Sequence, residues 1–98
     1  MAHYFLKLNP CRPTFAMDMS DEERSIMQRH AAYWRDLMLQ GKVVVFGPVM
    51  DPRGPYGMGV VEADNEDGIR QFIAGDPASK INSYEFYPMH AVLPVRTP

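Results

Sequence analysis

Residues 42–63 read KVVVFGPVMDPRGPYGMGVVEA, two apolar runs on either side of a turn. The first, from Val43 to about Met50, is too short for a buried helix and too apolar for a one-sided edge, so it reads as a largely buried strand. The Pro- and Gly-rich DPRGPYG supplies a turn, and MGVVEA returns as the next strand of a β-hairpin with a longish loop. GPYGMG within it lacks the lysine and the strand-turn-helix setting of a phosphate loop.

Helices flank this hairpin. Upstream, Ser20 and Glu23 stand at capping-box spacing, and Asp21, Glu22 and Glu23 place negative charge at the positive end of a helix dipole. That helix runs from about Asp21 to Gln40, and Gly41 closes it. Downstream, Asp64 caps NEDGIRQFIAG, whose apolar face is Ile69, Phe72 and Ile73. The outermost segments are strands. HYFLKL alternates, with Tyr4, Leu6 and Leu8 on one face, before the two prolines of NPCRPTF impose a loop. SYEFYPMHAVL is aromatic-rich, and Pro88 inside it argues for a sheet edge.

The order β-α-β-β-α-β is the split βαβ or ferredoxin-like pattern, an α+β fold with two helices on one face of a four-stranded antiparallel sheet. The other face has no helix of its own. Tyr, Phe and Val are too frequent in the strands for the helices alone to cover, so a homodimer is expected to pair those faces.

Length and charge narrow the function. With 98 residues, 46% of them hydrophobic, the chain is one domain's worth, and residues 1–98 read as a single domain. A net charge of -2 with scattered Lys and Arg disfavours nucleic-acid binding. No run approaches the roughly 20 apolar residues of a membrane span, and the N-terminal segment lacks the features of a signal peptide. Cys11, the only cysteine, permits no intrachain disulfide, which fits a reducing cytoplasm.

MQRHAAYWRDL, residues 27–37, poses the chemical question. Ile26, Tyr33 and Leu37 form an apolar stripe, and the slot one turn after Ile26 holds His30 where leucine is expected. The ring is either a hydrogen-bonded core group or faces a cavity. Imidazole, with an unperturbed pKa of about 6.5, exchanges a proton near neutrality. Tyr33, Ser83 and Tyr84 offer hydroxyls for a small oxygenated ligand, although packing also accounts for the tyrosines. Trp34 reads as a packing or interface anchor, and the methionines as adaptable core filler. His3, His30 and His90 share no metal-ligand spacing, so no metal is expected, and Cys11 reads as a loop thiol without a basic partner.

His30, GPVMDPRGPYGMGVVEAD (residues 47–64) and AGDP (residues 74–77), in this order, resemble the YciI-related (YCII domain) family of small dimeric α+β barrel proteins, over nearly the whole chain. The resemblance implies a His-Asp dyad in a pocket beside the sheet, at His30 and Asp76 here. The carboxylate would fix the imidazole tautomer and stabilise the imidazolium; on the alternative reading, Asp76 caps the turn begun by Pro77. One characterised branch of the family eliminates chloride from a chlorinated hydroxyhydroquinone, but that substrate does not transfer. The chain departs from the family pattern at Met27, where basic residues are common, at Asn82, where glycine is usual, and at His90 and Ala91.

The expected function is a small cofactor-independent enzyme of lyase or isomerase type, with His30 as general acid/base and Asp76 as its orienter, acting on a small, cyclic or aromatic oxygenated substrate. Two other readings stay open. One is a non-catalytic ligand-binding or regulatory dimer, the other a haem- or oxygen-handling member of the dimeric α+β barrel group with His30 on iron.

Overall fold

The structure is a computed structural model, and it describes residues 2–94. The chain runs β1 (Ala2–Asn9), α1 (Phe15–Asp18), α2 (Asp21–Leu39), β2 (Val43–Val49), β3 (Tyr56–Ala63), α3 (Glu66–Gly75), a 3-10 turn (Pro77–Lys80) and β4 (Ser83–Met89). The strands form one antiparallel sheet ordered β2-β3-β1-β4, the ferredoxin-like arrangement.

The ends of α2 follow from local chemistry. Ser20 Oγ accepts the Glu23 N–H at 3.1 Å, and the Glu23 carboxylate accepts the Ser20 N–H at 2.8 Å, completing the capping box. At the other end Gly41 takes φ 81°. This lets its N–H reach the Met38 carbonyl while the Lys42 N–H reaches Leu37, a Schellman closure. The cap of α3 is Asn65, whose side chain accepts the Gly68 N–H at 3.1 Å, one residue after the expected Asp64.

The core lies between the sheet and the two longer helices. Tyr4 and Leu6 from β1, Val61 from β3 and Val43 from β2 meet Trp34 from α2 and Ile69 and Phe72 from α3. Trp34 and Phe72 stand edge-to-face, with ring centroids 4.7 Å apart. The indole lies so close to β3 that a Cβ at Gly59 would sit 2.1 Å from Trp34 Cζ3. Glycine at 59 is therefore what admits tryptophan at 34.

Several boundaries differ from the sequence reading. β2 is an outer strand with only Val43 buried and Val45 48% exposed, because nothing else in the described chain covers its helix-free side. A bulge between Val43 and Val45 interrupts its register. β3 starts at Tyr56, two residues early, and β4 stops at Met89, leaving residues 90–93 outside the strand. Pro88 does lie on an outer strand. The buried face of α2 centres on Ile26 and Trp34, while Tyr33 and Leu37 are only half-buried. The NPCRPTF loop ends in α1, where Phe15 turns into the core.

Register assigns the helix-free face. Phe5 pairs with Val60 and Tyr87, His3 with Glu62 and Met89, and Val45 with Val60, so these side chains share it. Tyr87 is 52% exposed there. His3 Nε2 lies 3.1 Å from Glu62 Oε1, outside hydrogen-bond geometry.

Gly59→Ala is expected to displace Trp34 and lower stability by roughly 1–3 kcal/mol, the range for overpacking a filled core. Urea unfolding followed by tryptophan fluorescence measures it; an unchanged midpoint would show that the indole moves freely.

Candidate functional site

Asp76 follows α3 and its side chain is fully buried, at 0% exposure. An isolated buried carboxylate is prohibitively costly, so it must collect donors. Oδ1 accepts the Ala78 N–H at 2.9 Å, capping the 3-10 turn that Pro77 opens. Oδ2 accepts the Trp34 indole N–H at 2.8 Å and the Tyr84 hydroxyl in a short bond. His30 Nδ1 lies 2.8 Å from Oδ2 and 3.0 Å from Oδ1. Asp76 thus both caps its turn and pairs with the histidine, the two readings that the sequence set against each other.

These contacts fix protonation. Burial pushes the Asp76 carboxyl up, but hydrogen bonds from His30, Tyr84 and the Ala78 amide outweigh it and hold the group below the ordinary carboxylate range. Tyr84 is pushed far above the ordinary phenol range, by burial first and then by the Asp76 charge, so it stays protonated. An ionised carboxylate only accepts, so the network assigns the hydrogen to His30 Nδ1 and, in the neutral ring, leaves the lone pair on Nε2. Among the described residues Nε2 has no hydrogen-bond partner.

His30 also lines a cavity of about 290 Å³ between α2, the sheet and the segment after β1. Leu6, Leu8, Phe15, Met19, Met27, Trp34, Phe46 and Pro48 make its wall mostly apolar, and Tyr56, Tyr84 and Asn82 add polar side chains beside His30. The segment over it is latched. Arg12 donates from Nη1 and Nη2 to the two Glu23 oxygens, each at 2.8 Å, and from Nε to Asp18 at 2.8 Å. Arg12 and the Ser20 amide hold the Glu23 carboxyl down at about 2. Arg12 Nη1 also lies 3.6 Å from Cys11 Sγ, so the thiol does have a basic neighbour, though one already committed to carboxylates.

The structure brings His30, Asp76 and Tyr84 together and leaves out the other two candidates. Tyr33 donates its hydroxyl to the Phe72 carbonyl at 2.7 Å and packs on Phe72, outside the cavity. Ser83 is exposed and also lies outside it, because β4 alternates and Tyr84, not Ser83, points to the helix side. Trp34, read as a packing anchor, is in addition a donor to Asp76; its place one turn after His30 was the signal. Among the described residues no group of three or more His, Cys, Asp or Glu side chains is arranged to hold a metal ion. Among the described residues no helix is long and apolar enough to cross a membrane.

The family model for the YCII-related domain matches residues 4–92. The chain belongs to that family. No curated protein matches it in sequence. Among solved structures, this YCII-related chain is similar to 5-chloro-2-hydroxyhydroquinone dehydrochlorinase (TftG) from Burkholderia phenoliruptrix AC1100, solved in complex with 2,5-dihydroxybenzoquinone. The two are 21% identical with a TM-score of 0.61, over 86% of this chain and 90% of that one, a likeness of fold.

Asp76→Asn replaces an acceptor by an amide that faces four donors, and is expected to cost roughly 3 kcal/mol at neutral pH. Because folding lowers the Asp76 pKa, the wild-type advantage is complete above about pH 4 and fades as pH falls through the lower folded-state value. Urea unfolding of both proteins at neutral and strongly acidic pH checks this; a pH-independent gap would contradict it.

Proposed function

We propose that this YCII-related protein is a small-molecule enzyme of lyase or isomerase type in which His30 Nε2 moves a proton on a ligand held in the apolar cavity. One observation carries the reading: a histidine whose Nδ1 is engaged by a buried carboxylate, while the ring lines a cavity large enough for a small molecule. Nε2 takes a proton from a C–H or O–H of the substrate, and the Asp76 charge stabilises the imidazolium that forms. The electron pair left behind forms a double bond as either a neighbouring π bond shifts, with the proton returned at its far carbon to give an isomer, or the bond to a leaving group breaks and that group departs with its electron pair and takes the proton, giving elimination. Asp76 acts as orienter, since its lone pairs are taken by Ala78, Trp34, Tyr84 and His30. Tyr84 and Trp34 position Asp76. The apolar wall suits a cyclic or aromatic body with few oxygens, the class handled by the dehydrochlorinase neighbour.

Two copies are proposed to pair through the helix-free sheet face, where Val45 and Tyr87 are half exposed on an otherwise folded sheet. Sedimentation velocity at micromolar concentration should give a dimer that Val45→Asp dissociates. A wild-type monomer would remove the barrel.

Deuterium exchange into 2-tetralone, a cyclic enolisable ketone, tests the chemistry by proton NMR. Wild type should accelerate exchange, and His30→Gln should lose that acceleration by on the order of 100-fold. Equal rates in the two proteins would exclude His30 as the base. Saturable binding with no exchange above buffer would favour a ligand-binding module, the reading supported by the cavity without the dyad.

A further inference from the structure

Asn82 is more than nine-tenths buried, at 8% exposure, and lies on the cavity wall that also carries Met27 and His30. Its Oδ1 accepts the Cys11 N–H at 2.9 Å. A backbone N–H can only donate, so the amide has one orientation, with Nδ2 on the opposite side. Among the described residues the acceptor within reach of Nδ2 is Met27 Sδ, at 3.7 Å, and a thioether is a weak one. A buried amide with two N–H groups and no strong acceptor is a rare feature that calls for an explanation. Met27 precedes His30 by three residues, so the donor touches a side chain rooted one helical turn before the histidine on α2.

We propose that Asn82 Nδ2 is a second ligand-contacting group, a donor that selects molecules carrying an acceptor oxygen apart from the atom that His30 deprotonates. The inference rests on the His30 reading and deepens it by naming a substrate feature: an apolar body with a carbonyl-type oxygen. When Nε2 takes a proton from a position conjugated to that oxygen, negative charge develops on the oxygen, and the Asn82 N–H meets it. The Cys11 bond holds the amide ready, so no reorientation accompanies the step.

Two probes of matched shape test this, 4-hydroxyacetophenone and 4-isopropylphenol, which share a phenol and differ in the carbonyl oxygen. Affinities come from NMR titration, with the His30 ring signals reporting the site. Asn82→Leu keeps the volume and removes the amide, whereas Asn82→Asp keeps the acceptor for Cys11 and removes the donor. The wild-type preference for the ketone over the alkyl phenol should fall roughly fivefold in both variants, with 4-isopropylphenol affinity little changed. Retention of that preference in either variant overturns the proposal, and retention in Asn82→Asp alone would place the effect in the loop anchor. Binding of both probes at His30 with no wild-type preference to lose overturns the Asn82 inference and leaves the His30 reading intact. Failure of both probes to shift the His30 signals overturns the two together.

Discussion

A single buried carboxylate draws three elements of this protein together. Asp76 takes donors from α2 through His30 and Trp34, from the 3-10 turn through Ala78 and from β4 through Tyr84. Exposed ion pairs such as Arg53–Asp51 contribute little to holding a fold, since water competes for each partner. Asp76 is different because water is excluded and every donor has a defined direction. Its charge is tolerable only while the three elements keep their places, so folding and site assembly are one event. This also explains why burial fails to neutralise the group: desolvation opposes the charge, but the donors outweigh it.

What was legible in the sequence had local causes. The capping box at Ser20 and Glu23, the left-handed closure at Gly41, the alternation of Tyr4, Leu6 and Leu8 and the edge position of Pro88 each depend on a few neighbouring residues. The element order followed from these, and with it the sheet topology. Position on the sheet was harder. The valines of β2 have the composition of a central strand yet stand at an edge, because sequence reports how much apolar surface a strand carries and not what covers it. Whether a second copy does so is a question about two chains.

The site was less legible, since its geometry is tertiary. An aspartate before a proline reads as a cap or as a partner for a histidine, and these look like alternatives until the two oxygens are counted. Oδ1 serves the turn, Oδ2 serves Trp34 and Tyr84, and His30 approaches both. Tyr33 shows the same limit. The stripe placed it inward, and its ring does pack against the core on Phe72, but its hydroxyl goes to a carbonyl of α3 and not to the cavity. The seat of Trp34 likewise depends on a residue far away in sequence, Gly59, whose missing side chain makes room for the indole.

The distribution of satisfied and unsatisfied polar groups separates what supports the site from what uses it. The acceptors of Asp76 are filled, the Tyr84 hydroxyl and Trp34 N–H are spent on it, and Arg12 is spent on Glu23 and Asp18. Folding therefore accounts for these groups without a ligand. It does not account for His30 Nε2 or Asn82 Nδ2, one lacking a partner among the described residues and the other facing a thioether, on the wall of the same apolar cavity. Among the described residues the buried side-chain atom with no partner is His3 Nε2, on the helix-free face of the sheet. What sets the cavity wall apart is that an imidazole nitrogen free of protein partners and a weakly partnered amide donor stand on it together, where the proposed ligand, bearing two oxygens, would engage both.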